Sequence, residues 1–245
     1  KFIVIKRLFL SINYIIKLNF MERKIFAIIL AGGSGSRMGS ELPKQFIEIE
    51  GKPILRHTIE AFQSLPLKVE IIVVLPSSQK SFWKNYCKET GFLTKYILPS
   101  GGITRFHSVQ NALKYVPDGA LVMIHDGVRP FVTQDFLMSL IEKGKDYEAV
   151  VPVRPSIESL RRVEGDDSFA IDRSSYVSVQ TPQVFHSEVI NKAYSQSYNP
   201  SFTDDASVVE AAGYKITLCE GLRQNIKITT PEDLEVISGN IFKLN

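Results

Sequence analysis

Cysteine is scarce in this chain. Cys87 and Cys219 are its only two, far apart and outside any Cys-x-x-Cys pattern, which argues against a disulfide framework and for reduced core thiols in a cytoplasmic protein. The four histidines, His57, His107, His125 and His186, are equally scattered, so no zinc centre is expected. Charge of a single sign never gathers into a long block: 29 basic residues stand against 26 acidic ones, net +3. Most of that excess lies in residues 1–24, where Lys1, Lys6, Arg7, Lys17, Arg23 and Lys24 face only Glu22. The remainder is close to neutral, so no general nucleic-acid-binding surface is expected and any basic function must be local. No repeat or low-complexity tract is present.

A membrane-spanning run is also lacking. Residues 1–20 are apolar but broken by Lys6, Arg7, Asn13 and Lys17, and they end in Leu18-Asn19-Phe20-Met21 rather than a small-residue cleavage site. Met21-Glu22-Arg23-Lys24 reads as a start just ahead of the first strand, so residues 1–20 are expected to form a leader outside the fold; an amphipathic membrane contact is the alternative. Residues 21–245 then suit one α/β domain.

What is present begins at Ile25-Phe26-Ala27-Ile28-Ile29-Leu30, a run without alternation that predicts a strand buried on both faces. It stops at Ala31-Gly32-Gly33-Ser34-Gly35-Ser36-Arg37-Met38-Gly39, followed by Leu42-Pro43-Lys44-Gln45. Glycines let successive amides converge on an anion, and Arg37 and Lys44 add charge. Two familiar phosphate motifs fail here. The dinucleotide fingerprint needs glycine or alanine where Met38 stands, and none of these glycines is followed by the Gly-Lys-Ser/Thr of a P-loop. A tight strand-to-helix turn is the bland reading of the glycines; the basic pair favours a nucleotide site.

Further along, the pattern predicts helices over 53–65 and 77–89, a strand over 70–75 and a short one near 95–98. A second glycine turn, Ser100-Gly101-Gly102-Ile103-Thr104-Arg105, opens a helix to about Tyr115, with Thr104 as a candidate N-cap. Leu121 to Asp126 is another apolar strand ending in polar residues, followed by Gly127-Val128-Arg129-Pro130. In open parallel sheets ligands bind beyond the carboxyl ends of strands, which puts Asp126 and Arg129 where function belongs, although an Asp there can also simply cap the next turn. A helix over 133–143 and a strand over 148–153 complete the unit. Strands alternating with helices predict an α/β fold with a mostly parallel sheet and helices on both faces.

The alternation breaks at Arg154. Two β-like runs meet at Gly165-Asp166-Asp167 with no helix between them, so 154–178 is expected to project as a hairpin arm and a dimer contact. Val179 to Phe185 returns to the body, and helices are expected over 187–196 and to Ala212, the latter capped by Thr203 or Asp204. A strand over 214–219 follows. Lys227 then stands just before a proline-started helix at Pro231, and a surface lysine is its bland reading.

Ala-Gly-Gly-x-Gly-x-Arg-Met at 31–38, Pro-Lys-Gln at 43–45, His-Asp-Gly-Val-Arg-Pro at 125–130, Asp-Arg at 172–173, Gln-Thr-Pro-Gln at 180–183, Thr-Asp-Asp-Ala at 203–206 and Asn-Ile-Lys-Ile-Thr at 225–229 occur together and in that order. The set resembles the 2-C-methyl-D-erythritol 4-phosphate cytidylyltransferases of non-mevalonate isoprenoid synthesis, from about residue 24 to the end. The resemblance implies a Rossmann-like α/β fold, a homodimer clasped by hairpin arms and transfer of CMP from CTP to a sugar-alcohol phosphate, with magnesium bridging triphosphate oxygens and no metal site built from protein side chains. Arg37, Lys44 and Lys227 match the basic residues at the reacting phosphates. Ala31, Gly32, Gly33, Gly101, Gly102, Ser108 and Asp126 match the nucleotide side; Arg129, Ser159, Arg173, Thr181, Thr203 and Asp204 match the substrate side. Ile103 stands where the family often has an acidic residue. The family's Asp-Thr pair at the arm is matched by Glu158-Ser159, with Ser156 a competitor. Ribitol-5-phosphate cytidylyltransferases share nearly all the nucleotide motifs and are the alternative for the acceptor. A non-catalytic nucleotide-binding regulatory module is the alternative of another class.

Overall fold

The computed structural model describes residues 23–32 and 42–236. The expected leader at 1–20, together with Gly33 and Arg37, lies outside the described residues. The central sheet has the order β11-β6-β10-β5-β1-β4, with β9 also paired to β6. Its core is β1 (Ile25–Leu30), which lies parallel to β4 (Val69–Val74) on one side and β5 (Leu121–Asp126) on the other. These apolar runs are buried on both faces, as their lack of alternation predicts. On β1, Ala27 and Ile29 enter one hydrophobic layer while Phe26 and Ile28 enter the other.

Helices fill both layers. α1 (Ile54–Gln63), α2 (Lys80–Glu89) and α4 (Gln134–Asp146) bring Leu55, Ile59, Phe62, Trp83, Leu137 and Leu140 to the first. α3 (Arg105–Leu113), α5 (Ser187–Ala193) and α6 (Asp205–Ala211) bring Phe106, Val109, Ile190 and Val209 to the second. The first two helices begin close to expectation, behind Pro53 and the short turn Ser77–Gln79. α4 runs past its expected end at 143, because Gly144 serves there for close approach rather than as a stop. A Cβ on it would sit 2.9 Å from both Leu121 Cδ1 and Val184 Cγ1.

β10 (Gln183–His186) is antiparallel to both β5 and β6 (Ala149–Pro155), in an otherwise largely parallel sheet. No crossover helix separates β6 from β10, and a parallel pairing needs one. The chain instead leaves β6, forms the arm, returns as β9 (Val177–Val179) and continues down the sheet. The arm is the expected hairpin: β7 (Arg161–Glu164) pairs with β8 (Asp167–Ala170) around Gly165 at φ +60°. Every residue of both strands is exposed.

Three expectations shift at their edges. The short strand near 95–98 is reduced to isolated bridges, Ile72 with Ile97 and Leu75 with Ser100. α5 ends at Ala193 because the chain tightens into turns there, with the Ser195 N–H donating to Lys192 O and Gln196 N–H to Ala193 O. β11 (Thr217–Glu220) starts late because Gly213, at φ +87°, turns the chain and Tyr214 N–H donates back to Val209 O. The tiny hairpin of β2 (Glu48–Ile49) and β3 (Lys52–Pro53) was not foreseen. The last described helix, α7 (Pro231–Val236), starts where its proline predicts.

Candidate functional site

Leu30, Val74 and Asp126, the last residues of β1, β4 and β5, lie side by side in register. The loops that leave β1 and β5, and the glycine turn that precedes α3, are tied to neighbouring strand ends. Ala31 N–H donates to Val74 O at 2.9 Å, Gly127 N–H to Leu30 O at 2.8 Å and Gly101 N–H to Leu75 O at 2.8 Å. Above this floor opens a cleft lined by Ala31, Gly32, Lys44, Gln45, Gly102, Ile103, Thr104, Arg105, Ser108, Asp126 and Lys227.

Each wall has a local cause. The buried Gln45 amide donates to Ala31 O at 2.8 Å, which holds the short turn Lys44–Phe46 against the first loop and delivers Lys44 to the cleft. On the opposite wall the Ser108 hydroxyl accepts from Gly102 N–H at 3.0 Å and donates to Thr104 O at 3.0 Å. Gly102 has no alternative there, since a Cβ would lie 2.3 Å from His107 Cβ and 2.8 Å from its backbone carbon. Thr104 caps α3 by accepting from His107 N–H, as its sequence position predicts.

Asp126 is the electrostatic centre. Its Oδ2 accepts from Arg129 Nε at 3.2 Å and forms an ion pair with Lys227 Nζ at 3.1 Å, while Arg105 Nε lies 3.9 Å from Oδ1. Burial alone would push the carboxyl up, but Arg105, Lys227 and Arg129 together hold it well below the usual carboxylate range. Asp126 therefore stays ionised and gathers cations at the cleft. Its neighbour His125 is fully buried, and burial pushes the imidazole down to about 4. Arg129 O, 3.0 Å away, can only accept, so Nε2 carries the proton and the Thr181 hydroxyl donates to Nδ1 at 2.9 Å.

The Gln-Thr-Pro-Gln segment explains how distant parts of the chain meet. The Gln180 amide holds both the N–H and the carbonyl of Leu222 at 2.9 Å. Thr181 Oγ1 accepts from Asp126 N–H at 3.1 Å, and Thr181 O accepts from the Asn225 amide at 2.7 Å. Gln183 bonds Asp204 Oδ2 and Ala206 N–H, both at 2.8 Å, fixing the start of α6. One short segment thus fastens the Asp126 strand end, the loop that carries Lys227 and the α6 N-terminus to one another. The loop closes where Arg129 Nη1 donates to Asn225 O at 2.8 Å and Ile228 N–H to Val128 O at 2.9 Å.

Of the residues singled out from the sequence, Ala31, Gly32, Lys44, Gly102, Ser108, Asp126 and Lys227 line the cleft. Gly101 stands one residue behind, 3.4 Å by its missing Cβ from Ser108 Oγ. Arg129 and Thr181 sit beneath it, engaged with Asp126. Thr203 is exposed, and Asp204 caps α6 through a capping box with Ser207. Ser159 and Arg173 are exposed on the arm, where Arg173 donates to Ile157 O. Gly33 and Arg37 belong to the part of the first loop outside the described residues.

Sequence reasoning passed over Arg105 and Asp205. The available signals were a charged residue one place after an N-cap threonine, and a second aspartate beside a capping one; both carried a complete structural explanation already. In the structure Arg105 Nη1 and Nη2 donate to Asp205 Oδ1 and Oδ2 at 2.8 and 2.6 Å.

Comparison with known proteins agrees with this geometry. Residues 25–241 match the family model described as IspD, 2-C-methyl-D-erythritol 4-phosphate cytidylyltransferase. The enzyme of that name from Bacteroides thetaiotaomicron is 50% identical over 209 residues, 85% of this chain and 95% of the relative. Among solved structures, the 4-diphosphocytidyl-2C-methyl-D-erythritol synthase of Anaerococcus prevotii superposes with a TM-score of 0.75 at 28% identity, covering 89% of this chain and 95% of that one. The 2-C-methyl-D-erythritol 4-phosphate cytidylyltransferase of Thermus thermophilus gives 0.68 at 27%, over 86% and 96%. A family match across nearly the whole described fold, with a relative at half identity, makes this chain a member of the 2-C-methyl-D-erythritol 4-phosphate cytidylyltransferase family.

Proposed function

We propose that the strand-end cleft is where this chain transfers CMP from CTP to 2-C-methyl-D-erythritol 4-phosphate, releasing pyrophosphate. The observation that carries the reading is the convergence of Lys44, Arg105 and Lys227 on one cleft whose other wall is a glycine turn. Donor and acceptor are both anionic, so the main task is to hold them in line and neutralise the charge that builds at the α-phosphorus. Lys44 and Lys227 sit where they can do this, and Arg37 is assigned the same role from its place in the first loop. Lys227 is held by Asp126 at 3.1 Å, which sets its ammonium at the cleft without a flexible search. Ala31 to Gly33, Gly101, Gly102 and Ser108 are assigned to the base and Asp126 to the ribose side. Arg129, Thr181, Thr203 and Asp204 are assigned to the acceptor side, the first two acting through the bonds they make beneath the cleft.

Among the described residues no group of three or more His, Cys, Asp or Glu side chains gathers as a metal cage. The carboxylate at the cleft, Asp126, is surrounded by cations and is poorly suited to binding another directly. These residues fit magnesium that arrives with CTP, held through the phosphates, where it would draw charge from the triphosphate. The exposed apolar residues of the arm, Val163 at 71% and Phe169 at 48%, favour a homodimer in which Ser159 and Arg173 reach acceptor across the interface. Among the described residues no helix is long and apolar enough to cross a membrane, and a cytoplasmic location fits the two free cysteines.

The test is pyrophosphate release from CTP and magnesium with methylerythritol phosphate and ribitol 5-phosphate offered separately. Release with methylerythritol phosphate alone is expected. Release with neither acceptor would refute the reading, and a preference for ribitol phosphate would reassign the acceptor.

A further inference from the structure

Arg105 faces two carboxylates at once. Its Nη1 and Nη2 engage both oxygens of Asp205, and its Nε edge lies 3.9 Å from Asp126 Oδ1. Asp205 has no exposure at all and accepts a further hydrogen bond from the Tyr194 hydroxyl at 2.5 Å. It is the anchored end of the arrangement. Asp126, at the edge of the cleft, is the end whose orientation matters to a ligand. A guanidinium is a planar fork; once Nη1 and Nη2 are fixed on Asp205, the direction of its Nε–H is fixed as well. A lysine ammonium carries the same charge but cannot define both directions.

We propose that Arg105 is a positioning residue: braced by Asp205 and Tyr194, it sets the orientation of Asp126 and thereby the seat of the nucleotide. This rests on the reading of the cleft as the CTP site and extends it to three residues with no assigned role. The brace also ties α3, which follows the second glycine turn, to the start of α6, just after Thr203 and its N-cap Asp204. Nucleotide wall and acceptor-side segment are therefore fixed to one buried carboxylate.

A purely structural ion pair between α3 and α6 would affect stability and leave ligand affinity alone. The experiment measures steady-state pyrophosphate release for the wild type, Arg105→Lys, Tyr194→Phe and the double variant, with thermal unfolding of each. Tyr194→Phe keeps the ring packed against Phe106, centroids 4.6 Å apart, so it reports even if Arg105→Lys folds poorly. Arg105→Lys is expected to raise the KM for CTP about tenfold or more, with a smaller change in kcat, since a charge-assisted contact made in the ground state is lost. Tyr194→Phe is expected to raise the same KM about threefold, a part of what its charge-assisted bond to Asp205 contributes, because the two bonds of the Arg105 fork remain. The double variant should be no worse than Arg105→Lys alone, because the hydroxyl acts only through the fork. A KM for CTP within about twofold of wild type in both single variants, or effects that multiply in the double, would overturn the proposal. A wild type that releases no pyrophosphate from CTP would overturn the cytidylyltransferase reading and this proposal with it.

Discussion

Lys44 is the side chain whose removal should be felt most in rate and least in fold. It sits half-buried on a short turn at the cleft edge, a turn that the Gln45 amide pins to the first loop. Lys44→Ala is expected to lower kcat by roughly 10²–10³, the usual loss for one preorganised charge contact, with little change in unfolding temperature. His125 behaves in the opposite way, because it supports the site from below and never meets solvent. Its folded-state value near 4 lies below the ordinary 6.5, so the unfolded chain binds more protons between those limits. Stability is therefore fully present above about 6.5 and is lost as pH falls through the window, by up to about 1 kcal/mol per pH unit. Unfolding measured from pH 7 to pH 4 should show this loss. A His125→Gln variant should be less stable at pH 7 and show a shallower fall; an unchanged slope would remove His125 as its source.

Among the elements, the second glycine turn makes the clearest demand on sequence. A Cβ at Gly102 would collide with the His107 backbone, whereas one at Gly101 would meet only ordinary contacts of 3.4 Å and beyond. Gly102→Ala is expected to cost about 1–3 kcal/mol and Gly101→Ala less than about 0.5 kcal/mol, as read by denaturant unfolding. Equal costs would mean the turn is held by something other than this approach. Strand and helix runs were legible in the sequence because their apolar periods are strong: β1, β4, β5 and the helix behind Pro53 all fall within a residue or two of expectation. The end of α4 was less legible, because a glycine needed for close packing, as Gly144 is, and a glycine that ends a helix look alike in one dimension. The antiparallel course of β10 was implicit in the missing crossover helix but not drawn from it. At the cleft, residues within a strand-end motif could be found, whereas the Arg105–Asp205 pair spans a hundred positions and joins two residues whose neighbours, Thr104 and Asp204, carry the local capping roles.

For the whole molecule the arm is the feature a single chain leaves unexplained, an exposed hairpin that carries Val163 and Phe169 among charged neighbours. Replacing Val163 and Phe169 together by Glu should convert a dimer into monomers in sedimentation, because it places like charges in the surface expected to be buried. Turnover should fall with the dimer if Ser159 and Arg173 serve the partner's cleft. The central claim is that a distributed set of segments, fastened by Gln180 to Gln183, forms one cleft that seats CTP between Lys44 and Lys227. The most direct test is a crystal structure of the wild-type protein with CTP and magnesium. The triphosphate is expected against Lys44 and Lys227, with the base on the wall of Ala31, Gly102 and Ser108; a triphosphate bound away from the β1 and β5 strand ends would contradict a CTP seat in this cleft.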